Sequence, residues 1–444
     1  MTIFAADWVL PISSLPIQDG AVAINGAEIV AVKTKNEICQ QFPRAVVKDF
    51  GAAAIVPGFV NVHAHLELTA MRGFLDAVEN NFFAWLRKLT HARAQFSNED
   101  LLNSTACGAL EAARAGVTCV GDIATNADFS LQALQQIGLR GVSFQEVINP
   151  DSKMADATFA KLSEQIAFLR QSASATVKIG VSPHAPYTVS EKLFKLVADF
   201  AFEENLSVSI HAAESQAETE FIQSGTGIFA DFLNSRDILW NAPKVSTIKY
   251  LDQIGVLKTA PLLAHCINVD AEDLEIIAQT NSKIAHCPKS NAKFAHGIAP
   301  FAEMLKRDLR VGLGSDSVAS NNVCDLLEES RSAALLQRSQ GNFVSAAEVL
   351  KIATLGGAQA LGLEDEIGSL EPGKQADLAI ISLNSLAQQP VSDVYAALVF
   401  ASSARDVIAT VVAGQTVYEN GEVKTIDEAR ALAQLKETAQ KILR

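Results

Sequence analysis

The chain has no C-x-x-C pair: its six cysteines (Cys39, Cys107, Cys119, Cys266, Cys287 and Cys324) are scattered through 444 residues. That spacing argues against a disulfide framework or a thiolate zinc site and predicts reduced, buried thiols. The opening "MTIFAADWVLPISSLPIQDG" lacks the basic start, apolar core and cleavage site of a signal peptide, and no apolar run is long enough to span a bilayer. A cytoplasmic protein without membrane contact is expected. Positive charge is scarce, with 36 Lys and Arg against 50 Asp and Glu, a formal net charge of -14. Nucleic-acid binding draws on basic surface, so a small-molecule partner is expected instead. Solenoid-period repeats and low-complexity tracts are absent as well. What is present is 49% hydrophobic and 19% charged residues, the make-up of a globular chain with a large core.

Between about residues 55 and 340 lie eight short apolar runs: "IVPGFVNVHAH", "VTCVGDI", "GVSFQEVI", "VKIGVSPHA", "LSVSIHAA", "PLLAHCI", "KIAHCP" and "RVGLGSD". Most are followed by an amphipathic stretch of helical period, such as "SEKLFKLVADFAFEEN". Eight β-then-α units predict an α/β protein, a (β/α)₈ TIM-type barrel over 55–365. Residues 1–54 and 366–424 are instead strand-rich and punctuated by Gly, Pro and Asn, which predicts a small β-sandwich domain built from both chain ends. Residues 425–444 read as a C-terminal helix whose charges form a solvated face.

The chain has eight histidines. In a strand, residues two apart share a face, so His63 and His65 in "VPGFVNVHAHLEL" offer two imidazoles as a chelate. Barrel enzymes build their sites at the C-terminal ends of strands, where His184, His211, His265 and His286 also fall, with Asp316 after the eighth run. Nitrogen donors with one hard oxygen and no thiolate suit a single divalent ion, zinc first and iron second. His63, His65, His211 and Asp316 are assigned as its ligands, leaving a position for water. Such an ion lowers the pKa of water from about 15.7 to around 7. Glu214, three residues after His211, is placed to take the proton and pass it to a substrate ring nitrogen. As a helix-start acid it would otherwise only favour the positive end of the helix dipole.

The stretches "PGFVNVHAHLELTAMRG", "SPHAPYTVS", "IHAAES", "LLAHCINV", "HCPKSNAKF" and "LGSDSVASNN" together resemble the amidohydrolase superfamily in its deaminase and chlorohydrolase branch. "GSLEPGKQADLAII" extends the likeness to nearly the whole chain. The resemblance implies the same four ligands on one metal, since His184 stands where two-metal members carry a lysine. It further implies Glu214 as proton shuttle, His265 as the group that stabilises the attacking oxygen, Asp316 as a second proton carrier toward departing ammonia, and His184 as a substrate contact. Members are often dimers or larger, so a homodimer is an expectation of the resemblance, not of any residue pattern. The H-x-E with P-C-x-x-C signature of cytidine-type zinc deaminases is absent.

Within that branch, "HLELT", "FQEVINP", "TIKYLDQIGVL" and "HCPKSNAKF" are similar to aminodeoxyfutalosine deaminases of the alternative menaquinone pathway. The resemblance implies hydrolysis of the 6-amino group of an adenine nucleoside with a 3-carboxybenzoyl arm. Arg72 is then expected to anchor the carboxylate, with Lys289 and Lys293 as alternatives, and Phe82, Phe83 and Trp85 to cover the arene. At helical spacing those aromatics equally suit a core. Glu67 is expected to meet a purine edge or sugar hydroxyls, or else to orient a ligand. Ser290 and Asn291 are expected to border the base pocket. His286 is read as pocket wall, His91 and His296 as non-catalytic, and Asp122 and Glu146 as structural hydrogen-bond partners. A second reading keeps the site but takes S-adenosylhomocysteine, methylthioadenosine, adenosine or another aminated heterocycle. A third, a non-catalytic scaffold on the same fold, requires lost ligands, and none of the proposed ones is missing.

Overall fold

The run "AAIVPGFVNVHA" makes two strands. In the computed structural model, which describes residues 1–443, Ala53–Pro57 and Phe59–Ala64 are separated at Gly58. A Cβ at Gly58 would come within 2.1 Å of the Thr118 side chain, so glycine is required where the chain crosses between sheets. Ala53–Pro57 pairs antiparallel with Leu378–Ser382 and parallel with Trp8 and Val9. The barrel therefore starts at Phe59, later than residue 55, because the apolar run belongs to two different sheets.

The first to eighth barrel strands are Phe59–Ala64, Val117–Ala124, Arg140–Val147, Val177–Pro183, Ser207–Ala212, Leu262–His265, Lys283–His286 and Val311–Leu313. They pair in chain order, all parallel, and a parallel bridge between Ala64 and Asp316 joins the ends. Strands buried on both faces need apolar residues in both phases. Val60, Val62, Val142, Phe144 and Leu262 fill the barrel interior together with Ala358 and Leu361 of a short helix, Gly357–Leu361, while the outer faces pack on the surrounding helices. Several of those helices start at side-chain caps, among them Ser190 and the capping boxes Ser97/Asp100 and Asp270/Asp273.

The chain ends build a nine-stranded mixed sheet. Its central strands alternate strictly. Ile55, Leu378 and Ile380 join the inner core of this unit with Phe4 and Ile24, whereas Val56, Ala379 and Ile381 face the barrel's core. The C-terminal helix Glu428–Gln440 lies on helix Asn98–Arg114 and buries Ala431 and Thr438. Its charges are more than a solvated face: Arg114 pairs with Glu428 at 2.5 Å, and Lys441, just past its end, pairs with Asp100 at 2.6 Å. No helix among the described residues is long and apolar enough to cross a membrane.

Candidate active site

The five expected metal-site and oxygen-stabilising groups converge at the C-terminal mouth of the barrel. His65 Nε2 lies 3.3 Å from His211 Nε2, and Asp316 Oδ1 lies 3.5 Å from His63 Nε2 and 3.6 Å from His65 Nε2. The donor atoms of His63, His211 and His265 form a second triad within 4.8 Å. His65 and His211 each donate Nδ1–H to a backbone carbonyl, of Ile123 and His184, at 3.1 Å. That tautomer leaves a lone pair on each Nε2, and two lone pairs 3.3 Å apart repel unless a cation lies among them. Zinc bonds of about 2.0–2.1 Å in a tetrahedron put ligand atoms roughly 3.4 Å apart, which is the spacing found. His63 is buried with neither ring nitrogen partnered by protein. The donor set fits a divalent cation.

Protonation states agree with that fit. Burial holds His63 down at about 4 and His211 well below the usual imidazole value, so both are neutral. Burial alone would raise Asp316, but the close approach of His63 and the imidazoles of His265 and His65 beside it hold the carboxyl well below its usual range. Gly314 lets these parts meet, because a Cβ there would stand 2.7 Å from His63 Cβ.

Several strand ends here adopt left-handed backbone without glycine: Ala213 (φ 53°), His265 (75°), Cys266 (45°) and Asp316 (55°). Such conformations persist only where surroundings over-determine them. At Ala213 the cause is visible. Glu218 accepts the amides of Ala213 at 2.8 Å and Glu214 at 3.0 Å, and the Thr247 hydroxyl at 3.0 Å, clamping the turn that presents Glu214. Glu214 Oε1 then sits 3.8 Å from His265 Nε2 and 3.7 Å from His296 Nδ1, and burial raises its carboxyl to about 7.

A cavity of about 680 Å³ opens from this cluster. His65, His184, His211, Glu214, His265 and Asp316 line its inner part, together with Glu67, whose Oε2 is buried without a protein partner. His184 is oriented by Thr188 Oγ1, 2.7 Å from its Nδ1. Phe82, Phe83 and Trp85 line the wall beyond, so the helix Phe82–Arg93 serves packing and cavity together.

Other expected site residues stand elsewhere. Arg72 is turned away from the cavity, its guanidinium bound to Glu111 and the Asn322 carbonyl. Its place at the end of the short helix Leu66–Met71 directs it to helix Asn98–Arg114. Lys289 and Lys293 are held by Glu328 at 2.6 Å and Asp76 at 2.8 Å. Ser290 and Asn291 stand behind the acting groups and do not border a base pocket. Ser290 and Ser320 donate to Asp316 Oδ2 at 2.5 and 2.9 Å, and Asn291 Oδ1 accepts from His265 Nδ1 at 2.9 Å. His286 is no pocket wall; its ring stacks on Phe301 at 4.7 Å. Asp122 accepts the Leu66 amide at 2.8 Å, a structural role, while Glu146 lines the cavity. His296 and His91, read from the sequence as non-catalytic, stand beside Glu214 and in the cavity wall, and Arg87, Arg93 and Arg236 of that wall went unmarked. Phe83 and Arg87, and likewise Phe232 and Arg236, are four residues apart, a helical spacing that carries a usable signal.

Comparisons with known proteins extend this picture. The model of the amidohydrolase family matches residues 54–417. A 5-methylthioadenosine/S-adenosylhomocysteine deaminase of Pelotomaculum thermopropionicum is 33% identical over 96% of this chain and 94% of its own length. One of Moorella thermoacetica, described in the same words, is 31% identical over 96% of both chains. A zinc-bound adenosine deaminase of Xanthomonas campestris superposes with a TM-score of 0.87 at 27% identity, over 100% of this chain and 98% of that one.

Proposed function

The chain belongs to the amidohydrolase family and is a hydrolytic deaminase with a divalent-metal site, and we propose that it converts an adenine nucleoside to the hypoxanthine nucleoside and ammonia. We assign the ion as zinc, held by His63, His65, His211 and Asp316. When bound, it supplies the Lewis acid that makes water nucleophilic near neutral pH.

The chain's own residues supply the rest. Water attacks C6 of the base while the Glu214 carboxylate takes its proton and delivers it to the adjacent ring nitrogen. Burial would lower His265, but the carboxylates of Glu214 and Asp316 override it and raise the imidazole. His265 therefore presents Nε2–H to the oxygen, its ring held by Asn291. As the C6–N bond breaks, Asp316 takes the remaining proton of the added hydroxyl and helps pass it to the leaving amine, so the oxygen becomes the C6 carbonyl and the amine departs as ammonia. His184 faces the base, and the free Oε2 of Glu67 accepts from a substrate hydroxyl or purine edge.

The likeness over 96% of the chain to 5-methylthioadenosine/S-adenosylhomocysteine deaminases carries the choice of substrate, a 5′-substituted adenine nucleoside of that kind. The aminodeoxyfutalosine reading loses its expected anchor with Arg72, although the wall of Phe82, Phe83 and Trp85 still suits an arene. The test is a panel of methylthioadenosine, S-adenosylhomocysteine, aminodeoxyfutalosine and adenosine, followed by the adenine-to-hypoxanthine absorbance change. Turnover of the thio-nucleosides supports the reading; preference for aminodeoxyfutalosine replaces it, and silence on all four removes the adenine nucleoside as substrate.

A further inference from the structure

The cavity wall holds three arginines, and their partners differ. Arg93 is paired with Glu67 at 3.4 Å, whereas among the described residues Arg87 and Arg236 have neither an ion pair nor a hydrogen-bonded acceptor for the guanidinium. Arg87 lies on helix Phe82–Arg93, four residues after Phe83, and Arg236 just past helix Gly227–Asn234, four residues after Phe232. Phe83 and Phe232 meet edge to face at 5.6 Å, so the two helices touch through the residues that precede the arginines by one turn. The Arg236 guanidinium lies over the Phe232 ring at 4.3 Å, a placement that fixes the group and leaves its N–H edge free.

The same cavity carries Glu67, Glu146, Glu214 and Asp316 around the reaction centre, while Arg87 and Arg236 are exposed to solvent. Charge is thus separated along the cavity: acids and imidazoles within, free cations outward. In a chain of net charge -14 the surroundings do not supply such cations by default. Two guanidinium groups without acidic partners, lining one cavity beside apolar rings, have the chemistry that a planar anion needs.

We propose that Arg87 and Arg236 form an anion subsite at the outer end of the cavity, which takes a carboxylate on the 5′ extension of the nucleoside and makes the enzyme prefer carboxylated over neutral substrates. The inference rests on the adenine-nucleoside reading and adds to it the chemistry of the distal group. S-adenosylhomocysteine brings such a carboxylate on an amino-acid tail and aminodeoxyfutalosine on an arene, whereas methylthioadenosine ends in a methyl group.

The experiment measures kcat/KM for these three substrates with the metal-loaded protein and with Arg87→Gln, Arg236→Gln, the double variant and Arg236→Lys. The readout is the ratio of carboxylated to neutral substrate. Each single glutamine variant is expected to lower that ratio about 10-fold and the double variant roughly 100-fold, through KM, with Arg236→Lys recovering part of it. Whichever carboxylated substrate suffers the larger loss identifies the source of the anion. An unchanged ratio in the double variant overturns the proposal, and so does an equal loss on both kinds of substrate. If the wild-type protein processes none of the three, the substrate reading has failed, and the subsite is read with benzoate by calorimetry. Binding that the double variant loses supports it; equal binding, or none to the wild type, overturns it.

Discussion

The two ends of one cavity are built by opposite means. At the inner end the donors are buried, His65 partly so, and several are backed by a second group or held by strand ends in unusual backbone conformations: Asp316 by Ser290 and Ser320, His265 by Asn291, and the Glu214 turn by Glu218. At the outer end the wall is aromatic, carried on helices and open to solvent, and its two free arginines are held by no acid. These hydrogen bonds hold the inner groups in place, as a chemistry that tolerates little displacement requires. The outer end lies away from the reacting atoms, so changes there are expected to act on substrate choice and not on the chemical step.

The largest effect expected from breaking this contrast is at Asp316. Asp316→Asn removes the one anionic donor, and both deaminase activity and bound metal should fall to background while the far-UV circular dichroism stays native. Surviving turnover contradicts the ligand assignment. Next, Glu214→Gln should keep the metal but cost roughly 10²–10⁴-fold in kcat, as loss of a proton carrier does; a change confined to KM would make Glu214 a binding group only. Because burial raises Glu214, the acid limb of the kcat/KM profile should lie above the ordinary carboxylate range, with activity lost as falling pH protonates the base. A limb near the ordinary glutamate value would mean another group titrates.

A smaller effect tests whether rigidity itself matters. Glu218 touches no substrate; Glu218→Gln sets an amide donor against one of two backbone N–H groups and should lower kcat about 10-fold with little change in KM. Equal loss of thermal stability and activity would make it a fold residue alone. The smallest is Arg72→Ala, which breaks a half-exposed pair with Glu111 and should cost at most about 1 kcal/mol in urea unfolding without altering substrate ratios. A selectivity change there would restore Arg72 as a substrate contact.

The same contrast explains what could be read from residues alone. Each of the eight apolar runs contributes a barrel strand, and "HAH", "HAAE" and "GSD" mark the inner end because strand period and strand-end position put their side chains at one mouth. The outer end hides in helical spacing, where "FFAWLRKL" satisfies core and cavity alike. Arg72 misleads for a related reason. Its distance from the chelate is a property of the chain, whereas its partner, Glu111, arrives with a helix that only tertiary packing brings alongside. Likewise Gly58 divides one apolar run between two sheets, a break that becomes visible only through Thr118 in the neighbouring strand.

The central claim is that one divalent ion at the His63, His65, His211 and Asp316 cluster supports deamination. The most direct measurement strips the protein with a chelator, adds zinc back in known amounts, and follows both bound metal and adenine nucleoside turnover. The account predicts activity that rises linearly and saturates at one zinc per chain. Full activity in the stripped protein, or saturation only at two ions per chain, would contradict it.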